Sequence, residues 1–396
     1  MDEGRRYEIL GTLGKGGFGT VYKARMHGAG DFTKLVALKV MNPEVEGMEE
    51  IARRTRDEAR VLGLVRHRAI VQVDGLIRLE GRWTIVMEYV SGVDLTKVIE
   101  VGPVPATVAL EVVEEVSQAL DAAQRQLGPR GEPLRLLHRD IKPSNLQLTE
   151  RGEVKVLDFG TARANFAARE AKTQALAFGT LDYMSPERMD FEDVPAGDIY
   201  ALGAVFYELL SGQRLGRTSP VPKKHAEHVA KAKARLESLE VPAPVVDLCV
   251  QMLAYEPEDR PVADRLDNIC RKLRAALRGP WLADWAEENV PRLMLLVRKT
   301  MMDGMTGVTL REQTASNSIA MSPERNLAVT RTPPPPPPVS RPDPPEQEEA
   351  AEEEDEGLPW RWIILGLFLG LIFLCCAGGG VGAWLLSGVQ LPALPR

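Results

Sequence analysis

The chain has 396 residues, of which 44% are hydrophobic and 27% charged, which suits one globular domain of about 270 residues followed by a tail. Its formal net charge is −7, and residues 341–361 alone hold nine acidic and two basic side chains, so the remainder is about neutral. The acidity is therefore local and gives no support to a nucleic-acid partner. The four cysteines show neither metal-site spacing nor a disulfide framework.

The first predicted element is a β-hairpin that carries a glycine-rich turn. Apolar residues alternate in residues 7–13 and again in residues 20–24, and the run Gly14-Lys15-Gly16-Gly17-Phe18-Gly19 lies between them. Glycine permits the backbone to approach phosphate groups closely because it has no Cβ. Such a turn alone is a weak signal. A dinucleotide-binding site is disfavoured because it requires a helix where Val21 and Tyr22 indicate a strand.

A third strand and a helix follow the hairpin. Val36-Ala37-Leu38-Lys39 places a lysine at the end of an apolar run, 20 residues after Gly19. Residues 49–65 have helical spacing, and within them we favour Glu58 as a functional carboxylate because Leu62 follows at i+4 on the same face. Three rival carboxylates on this helix are expected to be solvated: Glu49, Glu50 and Asp57.

The next informative runs lie in the middle of the chain. Residues 83–92 form an apolar strand that ends in a glycine-bearing turn. Farther on, His138-Arg139-Asp140-Ile141-Lys142-Pro143-Ser144-Asn145 is followed by Asp158-Phe159-Gly160. Phosphoryl transfer from ATP needs one carboxylate to accept the proton of a hydroxyl, and an amide and a second carboxylate to hold magnesium. Few other reactions need these residue types at these spacings, so the runs predict a phosphotransferase.

In their order, these motifs resemble the eukaryotic-like (Hanks-type) protein kinase family, and the form Asp-x-Lys-Pro-x-Asn resembles its serine/threonine branch. Residues 179–187 resemble the end of an activation segment, with Ser185 in place of the usual alanine. Residues 198–203 resemble the start of the long helix of the large lobe, and Arg260 is the expected partner of Glu187. The order of about ten such elements makes the resemblance specific.

The resemblance covers roughly residues 5–277 and implies an α+β fold, the two-lobed protein kinase fold. We place the kinase domain at residues 1–277, with a small β-rich N-lobe at about 1–90 and a large helical C-lobe at about 91–277. The implied enzyme is a non-specific serine/threonine protein kinase that acts on protein substrates. It would use ATP and Mg²⁺, with Mn²⁺ as an alternative ion.

The resemblance also implies roles for individual residues. Four are expected in catalysis: Asp140, Lys142, Lys39 and Glu58. The metal ligands would be Asn145 and Asp158, and structural roles fall to Glu187, Asp198 and Arg260. The expected ATP-binding residues are Gly14, Lys15, Gly16, Gly17, Phe18, Gly19, Val21, Ala37, Lys39, Met87, Glu88, Val90 and Asp94. Of these, Met87 would guard the back of the pocket, and Asp94 would meet ribose or a basic substrate residue.

One departure and one regulatory feature stand out. Gln147 lies where the family usually places an aliphatic residue beneath adenine, and a polar amide there would weaken ATP binding or change base preference. Arg139 beside the catalytic aspartate indicates control by phosphate in the activation segment, residues 158–187. Within that segment Thr173 is the expected phosphosite, with Thr161 as a poorer candidate. Thr180 is expected to bond Asp140 or Lys142 and to favour Ser/Thr acceptors.

Beyond the kinase domain the composition changes twice. Residues 278–310 have an apolar helical pattern and predict a helical extension that packs on the large lobe. Residues 311–361 are rich in proline and then in acidic residues, which predicts a disordered linker with an extended polyproline stretch at 333–338. The acidic part would keep the linker solvated and away from anionic lipid.

Residues 362–386 predict a single transmembrane helix. The run has 25 residues without a charge. As a helix it would span roughly 37 Å, enough for a hydrocarbon core of about 30 Å. Two Gly-x-x-x-Gly patterns, at 366–370 and 378–382, could pack two such helices into a homodimer. Because the amino terminus shows no signal sequence, we expect a bacterial inner (plasma) membrane protein with a cytoplasmic kinase domain and a short external tail, residues 387–396.

Two classes of function remain open from the sequence. The first is an active membrane-tethered serine/threonine kinase in bacterial signalling that autophosphorylates its activation segment. The second is a pseudokinase that acts as a membrane-tethered scaffold; Gln147 favours it, whereas the presence of all six core catalytic and metal-binding groups opposes it. A small-molecule phosphotransferase is a weaker third reading, because the activation segment is intact.

Overall fold

The computed structural model describes residues 5–16, 19–42, 61–159, 181–298 and 305–312. All of them belong to one compact unit, Met1–Arg325, whereas the second unit, Asn326–Arg396, lies outside the described residues. Several sequence predictions therefore fall on residues that are not described: Gly17, Phe18, Glu58, Thr161, Thr173, Thr180, the linker beyond residue 312, the span at 362–386 and the tail at 387–396.

A six-stranded antiparallel sheet forms the small lobe. Its strands in chain order are β1 (Arg6–Lys15), β2 (Gly19–His27), β3 (Thr33–Met41), β4 (Val73–Leu79), β5 (Arg82–Glu88) and β9 (Thr309–Arg311). They lie side by side in the order β4-β5-β3-β2-β1-β9. The sixth strand comes from the far end of the described chain and pairs with the edge of β1.

The two faces of β3 serve two different purposes, because side chains alternate across a strand. Val36, Leu38 and Val40 are buried in a cluster with Tyr7 and Ile9 of β1. The alternate residues Ala37 and Lys39 lie on the other face of the sheet. There Ala37 joins a second buried cluster, and Lys39 reaches toward the large lobe. The alternation of β3 therefore places one lysine in the cleft between the lobes.

Helices build the large lobe around a buried centre. In chain order they are α1 (Leu95–Glu100), α2 (Ala106–Arg125), α3 (Pro186–Met189), α4 (Pro195–Ser211), α5 (Pro222–Ser238), α6 (Ala243–Met252), α7 (Ala263–Ala276) and α8 (Leu282–Arg298). Every residue of α4 from Gly197 to Ser211 is buried, as expected of a central helix. A Cβ at Gly203 would lie 2.9 Å from the Cβ of Met252, so glycine permits the close packing of α4 on α6.

A small sheet lies at the start of the large lobe and carries the catalytic segments. It consists of β6 (Gly92–Asp94), β7 (Leu146–Thr149) and β8 (Val154–Val156), in that order. The catalytic-loop run ends where β7 begins, and the Asp-Phe-Gly run begins just after β8. The antiparallel pairing of β7 with β8 therefore brings the two runs together at one end of the sheet.

The segment after the kinase domain differs from the predicted helical extension at 278–310. The helix α8 covers Leu282–Arg298 and continues through Pro291, but the described residues 305–312 form a turn and the strand β9. Leu310 is buried between exposed Thr309 and Arg311, which is the alternation of a strand at a sheet edge. Within the described ranges, no helix combines the length and apolar character needed to cross a membrane.

Candidate active site

The catalytic loop is built around a neutral histidine. His138 is fully buried, and its Nδ1 accepts a hydrogen bond from the amide of Asp140 at 3.2 Å. Its Nε2 therefore carries the proton and donates to the carbonyl of Leu157 at 2.8 Å. Burial lowers the pKa of His138, so the ring stays uncharged at neutral pH. The ring also packs edge-on against Phe159, with centroids 4.6 Å apart, and so joins the loop to the Asp-Phe-Gly run.

Asp198 at the start of α4 fixes the backbone of the same loop. Its carboxylate accepts hydrogen bonds from the amides of His138 at 2.7 Å and Arg139 at 2.8 Å. A third donor is Arg188 Nη2, 3.2 Å away. Arg139 has φ +66°, a left-handed conformation that is costly for a residue with a side chain. The buried carboxylate compensates for that cost and sets the direction of the next residue, Asp140.

Asp140 presents one carboxylate oxygen that is engaged and one that is not. Its Oδ2 accepts from Lys142 Nζ at 2.7 Å and from Asn145 Nδ2 at 3.0 Å. Its Oδ1 is buried and finds no hydrogen-bond donor among the described residues. A buried acceptor without a donor is rare and costly, so Oδ1 is the oxygen of this carboxylate with capacity to accept a further hydrogen bond.

Lys39 crosses from the small lobe to the large lobe. Its Nζ lies 2.7 Å from Asp158 Oδ1, and the lysine side chain is 15% exposed. Burial would raise the pKa of Asp158, but the ammonium group of Lys39 outweighs it and holds the pKa of that carboxyl below its usual range. Asp158 has φ +57°, another left-handed residue at the site. Its carboxylate is therefore ionised and aimed into the cleft.

The predicted metal ligands have the chemistry that Mg²⁺ requires. Asp158 supplies an ionised carboxylate, and Asn145 directs its amide nitrogen to the carbonyl of Asp140 at 2.8 Å, which leaves the amide oxygen as a donor to a cation. Mg²⁺ in nucleotide sites takes one or two protein oxygens and completes its shell with phosphates and water. Among the described residues, no group of three or more His, Cys, Asp or Glu side chains could hold a metal ion.

The glycine-rich turn uses its glycines for different reasons. The amide of Gly16 donates to the carbonyl of Gly19 at 2.9 Å and closes the turn. A Cβ at Gly19 would lie 2.3 Å from the carbonyl oxygen of Val40, so this glycine is required by packing on β3. At Gly14 a Cβ would meet no atom of the described residues within 4 Å, which leaves space for a ligand. Lys15 ends β1 beside this turn.

The apolar residues predicted to bind adenine form one cluster. Ala37, Met87 and Val90 are buried together, and Val21 packs against them. Met87 also lines a small cavity that reaches Lys39 and Asp158. These residues come from three strands and the hinge, residues 89–91, so they form a pocket wall only after folding.

Two predicted nucleotide contacts use their side chains for structure. Asp94 is the N-cap of α1, and its Oδ1 accepts from the amides of Thr96 at 2.9 Å and Lys97 at 3.3 Å. Glu88 pairs with Lys155 Nζ at 2.6 Å behind the hinge and also accepts from the amide of Gln72 at 3.1 Å. The carboxylate of Glu88 is therefore occupied by partners within the chain.

The predicted structural pair closes the end of the activation segment. Arg260 binds both carboxylate oxygens of Glu187, at 2.7 and 2.8 Å. Burial tends to raise the pKa of Glu187, but the guanidinium of Arg260 lowers it below its usual range. Pairing through two hydrogen bonds fixes the orientation of the Glu187 carboxylate and also neutralises its charge.

The structure also reveals a carboxylate that sequence patterns did not identify. Asp193 accepts from Arg139 Nε at 2.8 Å and from Arg188 Nε at 3.2 Å. Arg139, next to Asp140, therefore already has an anionic partner in this structure. Neither Asp193 nor Arg188 lies in a recognisable motif, so no sequence signal could have found them.

Comparison with known proteins agrees with this geometry. The family model described as the protein kinase domain matches residues 7–270. The tyrosine-protein kinase MasK of Myxococcus xanthus is 33% identical, over 64% of this chain and 40% of its own. Serine/threonine-protein kinase A of Synechocystis is 32% identical, over 73% of this chain and 57% of its own. The crystal structure of the PknI kinase domain of Mycobacterium tuberculosis gives a TM-score of 0.50 at 27% identity, covering 67% of this chain and 95% of that one.

The chain thus spans only 40% and 57% of the lengths of the two curated relatives. Within the shared region, the motifs occur in the order that the family requires and fold into the two lobes that it implies. The chain belongs to the protein kinase family, among the Hanks-type serine/threonine protein kinases.

Proposed function

We propose that this protein transfers the γ-phosphate of ATP to serine and threonine hydroxyls of proteins. The observation that carries the proposal is Asp140 Oδ1, a buried acceptor without a donor among the described residues, next to an Oδ2 held by Lys142 and Asn145. A substrate hydroxyl that donates to Oδ1 would point its oxygen at the γ-phosphorus. The oxygen then bonds to phosphorus, the bond from phosphorus to the β-γ bridging oxygen breaks, and Asp140 takes the proton as ADP leaves.

The cationic groups of the site supply the complementary charge. Lys142 lies beside Asp140 and would steady the transferring group, whereas Lys39 would meet the phosphates next to it after giving up part of its contact with Asp158. Bound Mg²⁺, held by Asn145 and Asp158, would neutralise the developing negative charge. Most of the rate enhancement would come from positioning and electrostatic stabilisation.

The test is transfer of radiolabelled phosphate from ATP to a generic protein acceptor by the purified full chain. Asp140→Asn keeps the size of the side chain but removes the proton acceptor, and we expect it to lower kcat by roughly 10²–10⁴-fold. Serine and threonine should carry the label after acid hydrolysis. Label found on tyrosine instead would contradict the proposed acceptor. The labelled residue must be identified because one relative carries a tyrosine-kinase name.

The proposal extends to regulation through Arg139. Asp193 now neutralises this arginine, and its side chain is 38% exposed, so a stronger anion can replace it. We propose that autophosphorylation at Thr173 supplies that anion, because a phosphate carries more charge and more acceptor oxygens than a carboxylate. Mass spectrometry after incubation with Mg-ATP tests this step, and an active preparation with unmodified Thr173 would refute it.

The cellular setting is also part of the proposal. The uncharged run at 362–386 supports a single membrane span, and the Gly-x-x-x-Gly patterns within it support pairing of two copies. The kinase domain would then face the cytoplasm at the inner (plasma) membrane and act in bacterial signalling. Fractionation of cells that express the full chain, with carbonate extraction of the membranes, tests the anchor; release of the protein into the soluble fraction would oppose it.

Gln147 favours the alternative of a pseudokinase that acts as a scaffold. It lies in β7 between the buried residues Leu146 and Leu148, and it pairs across the small sheet with Asp94 of β6 and Lys155 of β8. Binding of nucleotide without transfer by the wild-type chain would support this alternative. Under the kinase proposal, Gln147→Leu should instead retain transfer and lower the KM for ATP, since an apolar floor stacks better on a base.

A further inference from the structure

The chain after the kinase-family match returns from the large lobe to the small lobe. The match ends at residue 270, and the described chain continues with α8 and β9. The helix packs on the large lobe, whereas the strand belongs to the sheet of the small lobe. A single stretch of chain, residues 278–312, therefore contacts both lobes.

The large-lobe end of this stretch is firmly anchored. Thr107 Oγ1 and Arg274 Nη2 donate to the carbonyl of Pro280 at 3.0 and 3.2 Å, and the amide of Leu282 donates to Glu111 at 3.2 Å. Apolar side chains of α8 complete the anchor in the large-lobe core: Leu282, Ala286, Val290 and Leu293.

The helix also lies beside the hinge. A Cβ on Gly152, in the turn between β7 and β8, would lie 2.6 Å from the Cα of Ala283, so helix and turn are in direct contact. Helix α8 contacts β6 as well, and β6 begins at Gly92, directly after the hinge. The start of α8 therefore lies against the turn between β7 and β8, and the helix contacts the strand that directly follows the hinge.

The small-lobe end is held by backbone pairing and by one buried side chain. The amide of Ile9 donates to the carbonyl of Val308 at 2.9 Å, and the amide of Gly307 donates to the carbonyl of Ile9 at 2.8 Å. Leu310 is only 6% exposed and joins the buried cluster that contains Tyr7 and Ile9. This pairing satisfies the edge of β1, which would otherwise present unpaired donors and acceptors to solvent.

We infer that α8 and β9, the described elements of this stretch, brace the two lobes and hold the nucleotide cleft in the arrangement where Lys39 reaches Asp158. The inference rests on the proposed function, because it assigns the brace a role in ATP binding. A second connection beside the hinge restricts rotation of one lobe against the other. Strand β1 runs from the brace at Arg6 to the glycine-rich turn at Lys15, so anchoring its start positions its end. In this scheme Leu310 is a positioning residue.

The test compares two variants of the full chain that differ by one position on β9. Leu310→Asn removes the buried anchor, whereas Thr309→Asn places the same residue at the exposed neighbouring position and serves as the control. We expect Leu310→Asn to speed hydrogen exchange in residues 5–9 and to raise the KM for ATP about threefold or more with kcat little changed, because fewer molecules are competent to bind. Thr309→Asn should alter neither quantity.

An engineered disulfide provides a second test of the brace. Glu8 and Thr309 are directly opposite across β1 and β9, so Glu8→Cys with Thr309→Cys can link the strands when oxidised. Added to Leu310→Asn, this link should restore the wild-type KM on oxidation. Faster exchange without a change in KM, or no rescue by the link, would overturn the brace. If the wild-type chain transferred no phosphate, the proposed function would fail separately, and KM would be replaced by the Kd for Mg-ATP.

Discussion

Glu187–Arg260 and Arg139–Asp193 are both arginine–carboxylate pairs at the end of the activation segment, yet they are built for different purposes. In the first pair Arg260 is 0% and Glu187 is 8% exposed, whereas in the second Arg139 is 17% and Asp193 is 38% exposed. The buried pair cannot exchange its partner for water without a large cost, and the exposed pair can.

The hydrogen bonds reinforce this difference. All five N–H groups of Arg260 are used: two bind Glu187, and the other three bind backbone carbonyls of Ala196, Ala254 and Tyr255. Arg139 uses its Nε for Asp193. The fully bonded, buried Arg260 therefore holds Glu187 permanently. The more exposed Arg139, which has Asp193 as its partner among the described residues, is suited to exchanging that partner for another anion.

Arg260→Ala should have the largest effect on stability, since it removes the ion pair and leaves Glu187 as a buried carboxylate without its cation. We expect the free energy of unfolding to fall by roughly 3–5 kcal/mol. Urea unfolding followed by circular dichroism measures this loss. Arg260→Lys keeps the charge but loses the two-point geometry and should fall between alanine and wild type. A loss below about 1 kcal/mol for alanine would mean that the pair is no more than a surface contact.

A third carboxylate, Glu208, sharpens the comparison because it is buried with a hydroxyl partner instead of an arginine. Tyr183 donates to its Oε2 at 3.0 Å, and the other charged groups that face it are Arg214 and Asp182. Burial raises the pKa of Glu208 to about 7. Because the folded-state pKa lies above the unfolded one, the folded state holds the proton more tightly, and stability is lost as pH rises from about 4.5 to about 7.

Glu208→Gln mimics the protonated acid and should remove this pH dependence. Relative to the wild type, the variant should gain stability on the order of 3 kcal/mol between pH 5 and pH 8, with most of the change complete near pH 7. Thermal or urea unfolding at several pH values checks it. Parallel pH profiles for the two proteins would show that Glu208 is ionised throughout.

Asp193→Asn should have the smallest effect on stability. The exposed pair contributes less than about 1 kcal/mol, and added salt should shrink the difference from wild type further. The variant frees Arg139, so phosphate in the activation segment should bind it without competition. If the free energy of unfolding fell by several kcal/mol on this substitution, Asp193 would have a structural role like that of Glu187 and would not be an exchangeable partner.

Much of the site was predictable because its chemistry depends on short runs. Asp140, Lys142 and Asn145 lie within six residues of one another, so one local turn brings their side chains together. Lys39 and Asp158 are far apart in sequence, and only the order of motifs in the family brought them together before the structure placed them 2.7 Å apart.

Other features left no usable signal. Strand β9 has three residues, too few to be recognised as a strand from the sequence, and it forms by pairing with the edge of β1. Asp193 acquires its role from two arginines that approach from separate segments. Asp94 is different, because an aspartate directly before the helix that begins at Leu95 is an ordinary N-cap signal, and local rules would have identified it.

The cavity beside Met87 offers a route to the protein's targets in the cell. It measures only about 20 Å³ and is lined mostly by apolar side chains, among them Ile70, Val71, Ile85 and Met87. Trimming that methionine to alanine would join the cavity to the adenine pocket. The enlarged pocket would accept an ATP analogue with a bulky substituent that other kinases reject, so a tag carried on its γ-phosphate would label the substrates of this enzyme alone.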